Sequence, residues 1–256
     1  MSIVLNEKEW AENAINNRQL GRNPMETLGR VAKYYRQSED YKKSDVRDKL
    51  ENFLIQCDPG VILVRWADTL DRIAKSSDRY PLIELDGVAI TDSEIEVIKS
   101  MKEKQVQRLA FTLLCVAKYW NAVQSFNNGW VNTSDKEIMT MANLKPSIQR
   151  QSLMFHNMKN AGLISFGKRV DNLNIQVNFI DDNSPTALFI TDFRNLGNQW
   201  LMYIGDPFIQ CSHCGITVRK KANAQKYCPD CATEIYIRNS FKSAINHYYG
   251  SKLPPS

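Results

Sequence analysis

CSHCGITVRKKANAQKYCPDC, residues 211–231, sets four cysteines as two Cys-x2-Cys pairs thirteen residues apart: Cys211 with Cys214, and Cys228 with Cys231. Each pair places two thiols on one side of a tight turn. Two such knuckles complete a tetrahedral all-thiolate site, the donor set and geometry that suit Zn2+. Gly215 follows the first pair, where a knuckle needs an open backbone conformation. One Zn2+ is therefore expected, and a structural one, because four thiolates leave no open position for a substrate. Two disulfides or an iron–sulfur cluster use the same residues. Met1–Trp10 lacks the basic and apolar regions of a secretory signal, which argues for a reducing compartment and against the disulfides. Four cysteines at this separation are commoner as structural zinc than as a cluster.

The residues around the pairs extend the reading. Pro229 and Asp230 are good first-turn residues, so the second pair is expected to open a helix over about 229–247. Ile216-Thr217-Val218 and Gln225-Lys226-Tyr227 are expected to pair as a hairpin with Arg219, Lys220 and Lys221 at its tip. Knuckle, hairpin and helix together resemble a treble-clef or zinc-ribbon module. Treble-clef nucleases carry catalytic histidines at the hairpin end and on the helix. Here His213 lies inside the knuckle and His247 near the chain end, which departs from that pattern.

Charge points the same way. The chain has 256 residues, 33 Lys and Arg against 28 Asp and Glu, and a net charge of +5. Residues 211–256 alone carry seven basic and two acidic side chains, so the whole excess sits there and residues 1–210 are neutral. That asymmetry marks a polyanion-facing end, with Arg219, Lys220, Lys221 and Lys226 carrying the phosphate term. Hydrophobic content of 43% and charged content of 24% are globular and exclude a disordered tail or a collagen. The most apolar run, Leu109–Ala117, is about half the length a membrane-spanning helix needs. These features read as a cytoplasmic protein with no membrane partner.

Upstream of the module, the order of elements carries the argument. The apolar stretch Gln105–Ala122 is expected to be a central core helix holding Cys115. Trp130-Val131-Asn132 reads as a short strand, and Ser134-x-x-Glu137 as a capping box for a helix to about Ala142. Pro146 is expected to begin a helix with Ile148, Gln151, Phe155 and Met158 facing inward, capped by Gly162. Leu163–Phe166 and Asn174–Phe179 read as two strands joined by a tip at 167–172. Helix, strand, helix, turn, helix, strand, loop, strand resembles a winged helix-turn-helix over roughly 103–181. The resemblance implies a recognition helix with Ser147, Gln149 and Arg150 outward, preceded by Lys145, and a wing offering Lys168 and Arg169 to the backbone. Residues 130–181 net only +2, which departs from strongly basic DNA readers and keeps a protein-binding role open.

Residues 1–80 read as a helical region, with helices over 7–17, 24–37, 44–57 and 58–76. Segment 81–102 reads as a hairpin about Asp86-Gly87 and a connecting helix opened by Thr91-x-x-Glu94. Residues 103–205 form the winged-helix-like region, with Leu188–Ile190 as a strand and Phe193–Ile204 packing on its core, and 206–256 the zinc module. The predicted class is mainly α with small β parts. Walker loops, Gly-x-Ser-x-Gly elbows and paired nucleophile and base are absent from the sequence, so no enzyme is expected. Asp181-Asp182 falls in a turn-rich loop without carboxylates at recognisable spacing.

The whole chain also resembles proteins of bacteriophages and mobile elements that join a helical N-terminal region and a winged-helix-like middle to a C-terminal four-cysteine module. Gln105–Tyr119, Trp130–Met141, Gln151–Val177, Ile190–Gly197 and Cys211–Cys231 carry that likeness. Two functions compete. One is a non-enzymatic nucleic-acid-binding protein, with DNA as the first partner, acting in replication or transcription control. The other is an interaction factor that grips a host protein such as a polymerase subunit or a defence effector.

Overall fold

A computed structural model describes residues 3–21, 23–167 and 174–250, with side chains to Ser243. The chain divides into two compact units, 1–89 with 189–191, and 90–188 with 192–256.

The first unit is helical: α1 Glu7–Asn16, α2 Pro24–Gln37, α3 Lys43–Cys57 and α4 Ala67–Lys75. Asn6 and Asn23 cap α1 and α2 through side-chain acceptors, and Pro24 takes the first-turn position that needs no donor. Leu28, Val31, Ala32, Val46, Leu50, Phe53 and Leu70 close the core. Two expectations fail here. Asp58-Pro59 does not start a helix: Asp58 Oδ1 accepts from the Gly60 N–H, a turn that holds the chain open until a single 3-10 turn at Leu63–Arg65. The hairpin about Asp86-Gly87 does not form. Glu84 bridges Asn6, Glu7 N donates to Ile83 O, and Leu85 N donates to Leu5 O, so the 82–85 segment pairs with the N-terminus. β1, Val88–Thr91, pairs instead with β5, Thr186–Ile190. A Cβ at Gly87 would sit 2.7 Å from the Ile190 carbonyl, so the residue that signalled a turn serves a close approach.

The second unit is built on α6, Lys104–Val123, after α5, Asp92–Lys99. Residues 109–117 of α6 are fully buried, as a helix that is apolar all round demands. Around it stand β2 Trp130–Val131, α7 Asp135–Met141, α8 Ile148–Asn160, β3 Ile164–Phe166 and β4 Ile175–Val177. The three strands form one antiparallel sheet in the order β2-β4-β3, with Val131 opposite Ile175 and Ile164 opposite Val177. Next come α9 Leu196–Tyr203, β6 Phe208–Gln210, β7 Thr217–Arg219 and α10 Pro229–Gly250. Trp200 on α9 is fully buried, 5.4 Å from the Phe111 ring, and its indole donates to Gln107 Oε1.

α9 lies so close that a Cβ on Gly197 would overlap the Ala142 carbonyl oxygen. Gly197→Ala should therefore force the backbones apart and destabilise the protein by about 1–3 kcal/mol, the range for overpacking. A thermal melt within a degree of the parent would contradict this.

The fold is thus mainly α with small β parts, and a four-cysteine cluster lies near its C-terminus. No helix among the described residues is long and apolar enough to cross a membrane.

Candidate metal centre and the predicted nucleic-acid residues

The Cys211–Cys214 turn reverses the chain by itself. Gly215 N donates to Cys211 O, and Cys211 N donates to Ile216 O. Gly215 takes φ +75, the left-handed conformation expected of the knuckle. Because the knuckle is the reversal, β7 pairs with the preceding strand β6, Phe208 opposite Arg219 and Gln210 opposite Thr217. The predicted pairing of 216–218 with 225–227 is replaced. Residues 225–227 act instead as the link between the knuckles, with Ser212 N donating to Lys226 O.

All four sulfurs lie within 4.8 Å of one another. Cys214 Sγ and Cys228 Sγ are 3.8 Å apart, and all six cysteines are free thiols. A tetrahedron with metal–sulfur bonds of about 2.3 Å has edges of roughly 3.8 Å, so the cluster is compatible with one structural metal ion. Cys211, Cys228 and Cys231 are buried and Cys214 half-buried. Cys228 and Cys231 straddle the N-terminus of α10, where the Cys231 N–H meets Cys228 Sγ at 3.5 Å and the helix dipole favours negative sulfur.

The thiols pull in opposite directions. Burial pushes Cys211 up, but backbone N–H groups at Cys228, Cys214 and His213 outweigh it and bring the thiol down to about 6. Burial raises Cys214, against the backbone N–H of Ile216. Burial and the three neighbouring sulfurs raise Cys231. Cys214 and Cys231, raised by burial and by neighbouring sulfurs, are donors whose thiolate form a bound divalent cation favours. His213 Nδ1 lies 3.4 Å from Cys231 Sγ at the exposed side of the cluster.

Arg194 and Asn198 tie the first knuckle and β7 to the rest of their unit. Arg194, paired with Asp192, donates to Cys214 O at 2.6 Å. Buried Asn198 donates to Thr217 O and accepts from Asn143 Nδ2. Sequence reasoning missed both, since neither carries a local signal.

The predicted nucleic-acid residues separate into groups. Arg219, Lys221 and Lys226 are exposed around the knuckles, and Lys220 is half-buried beside them, its backbone N–H bonded to Pro207 O. Lys145 and Gln149 are exposed. Ser147 is the N-cap of α8 and accepts from the Arg150 N–H, so α8 begins at Ile148 rather than at Pro146. Arg150 is paired with Glu103, which diverts its charge from an outward role. Ile148, expected inward, is 85% exposed. Met154, Phe155 and Met158 make the buried face instead, while Gln151 is partly buried and donates to Asp135. Starting the helix two residues later leaves Ile148 in its first turn, beyond the core. Lys168 and Arg169 lie outside the described residues.

The Asp181-Asp182 loop is tied down rather than open. Glu94, fully buried, accepts from the backbone N–H groups of Thr91 and Asp181 and is paired with Lys118 at 2.8 Å. Asp181 is held down to about 2 by hydrogen bonds from Ser184 and Ser93. Its carboxylate is committed to the loop.

Fold and site define a mainly helical protein with a C-terminal four-cysteine centre compatible with one structural metal ion. Comparison of the chain with protein-family models, curated proteins and solved structures gives no match.

Proposed function

We propose that the chain is a non-enzymatic nucleic-acid-binding protein of a bacteriophage or mobile element, working in the bacterial or infected cytoplasm on replication or transcription, with Zn2+ in the four-cysteine centre and DNA as its partner. The observation that carries it is the basic surface of the centre. Arg219, Lys221 and Lys226 are exposed within a segment that holds the entire positive excess of the chain. The order α6-β2-α7-α8-β3-β4, with its sheet order β2-β4-β3, supports a winged-helix reading of 103–181. In that reading α8 offers Gln149, Ser152, His156, Asn157 and Lys159 outward, a set with one lysine, so phosphate attraction from the zinc module supplies most of the affinity.

Mobility-shift titrations with duplex and single-stranded DNA at two salt concentrations test this. Lys220→Ala combined with Lys221→Ala should weaken binding and lower the slope of log K against log salt by about 1.8, two phosphate contacts' worth. An unchanged slope removes these lysines from the interface. No binding at low salt to either form overturns the proposal.

One observation favours the second reading, a host-protein interaction factor. Tyr236, Ile237 and Phe241 stand exposed on α10, at 73%, 48% and 67%. A stoichiometric protein partner that survives nuclease treatment and is lost with Tyr236→Ala would select it.

A further inference from the structure

A cleft of about 410 Å³ opens at the end of α6, lined by Gln124, Ser125, Phe126, Asn127, Trp130 and Asn132. No charged side chain is among them. We infer that this cleft binds an unpaired nucleobase, which stacks on the Phe126 ring while Gln124 and Asn132 meet its edge. The inference deepens the nucleic-acid reading above, on residues which that reading does not use.

Two features build the site. The first is the platform. Phe126 is 91% exposed, an unusual position for a phenyl ring. The loop that presents it is held firmly. Asn128 and Gly129 are consecutive left-handed residues, at φ 49 and φ 81. Gly129 N donates to Asn121 Oδ1, and Gly129 O accepts from Val177 N. A Cβ at position 129 would come within 2.7 Å of the Val177 carbonyl oxygen, so glycine is required there.

The second is a relay of carboxamides with a defined direction. The Trp130 carbonyl can only accept, so the Asn127 group that meets it at 2.6 Å is the NH2. Asn127 Oδ1 then accepts from Asn132 Nδ2 at 2.9 Å. Asn132 Nδ2 also reaches Gln124 Oε1 at 3.4 Å. Each amide fixes the next, and two groups are left over: the Asn132 oxygen and the Gln124 NH2. Among the described residues neither has a hydrogen-bond partner. The cleft thus presents one acceptor and one donor beside an aromatic face.

Every base carries a neighbouring acceptor and donor on its pairing edge, and every base has a face to stack. In a duplex both are occupied, so the ligand is a base of a single strand or of a free nucleoside. A neutral lining suits a base, whereas the phosphates need the basic surface described above. Carbohydrate also stacks on aromatic rings, but its hydroxyls each donate and accept and need no fixed donor–acceptor pair.

The test uses the full zinc-loaded chain, a short labelled single strand of mixed sequence, and the same sequence as a hairpin duplex. The parent should bind the single strand. Phe126→Ala should raise its Kd about tenfold, the effect of losing one stacked base, and leave duplex affinity unchanged. Phe126→Trp should restore it. Zinc content and circular dichroism equal to the parent's show that each variant is folded. Displacement of the strand by free adenosine assigns the site to a nucleoside, and no displacement assigns it to the strand; both support a base site. Single-strand affinity within twofold of the parent in folded Phe126→Ala overturns the inference, as does displacement by a neutral oligosaccharide. A parent that binds duplex but no single strand overturns the inference and leaves the proposed function standing. A parent that binds neither overturns both.

Discussion

Cys228→Ser should release the metal and leave the chain after about Asp206 open to protease, while a fragment of residues 1–205 persists. Metal binding contributes on the order of ten kcal/mol to the folding of small zinc modules. Little else holds this one. Among the described residues, the hydrophobic side chains packed around the sulfurs are Ile216, Val218 and Tyr227, all partly buried. Loss of the cation would leave Cys214 and Cys231, which burial and neighbouring sulfurs disfavour as thiolates. The ties through Arg194 to Cys214 O and Asn198 to Thr217 O amount to two hydrogen bonds, worth about 1–3 kcal/mol each, and do not replace it. The neighbouring core survives because Trp200, Phe111 and the fully buried part of α6 pack without the module. Elemental analysis should find one zinc per parent chain and none in the variant. Zinc-free parent protein purified without chelator, or a variant whose C-terminal segment resists protease as the parent does, would contradict the assignment.

Glu94→Ala should cost about 3–5 kcal/mol, the range for breaking a buried ion pair from one side. Glu94 is wholly buried, and Lys118 is 8% exposed. Removing the carboxylate strands the ammonium beside Asp182 alone, and it also leaves the Thr91 and Asp181 N–H groups without their acceptor. Asp182 is 72% exposed, so Asp182→Asn should produce only a small fraction of that loss. Combining Glu94→Leu with Lys118→Met removes both charges and should recover part of the stability lost in Glu94→Ala. Urea denaturation of the three variants checks the order. Equal midpoints for Glu94→Ala and the parent would show that the pair contributes nothing.

Most helices were legible because their signals are local. Pro24 opens α2, Thr91 and Glu94 form the capping box of α5, and Gly162 ends α8 at φ +72. Each of these interactions spans four residues or fewer, so the sequence contains both partners. The clustering of the four cysteines was legible for the same reason, since a Cys-x2-Cys turn makes its own geometry. The exposure of Ile148 was not legible, because the helical period predicts which residues share a face but not where the helix begins. Ser147 in place of Pro146 as the boundary shifted the first turn out of the core.

By itself the sequence determined the class of the fold, the places of most helices, the four clustered cysteines and the concentration of positive charge at 211–256. Tertiary structure alone decided the partners. Strand pairing is chosen among segments far apart in sequence, and the choice depends on which reversal the chain completes. The knuckle turned β7 back onto β6, and the N-terminus took the 82–85 segment from its expected hairpin. Glu94 was readable as a cap, yet its buried partner stands 24 residues away on another helix, set by packing that no local pattern encodes. The same holds for Asn198, and for the amide relay from Trp130 to Gln124, where direction comes from one backbone carbonyl meeting one side chain in space.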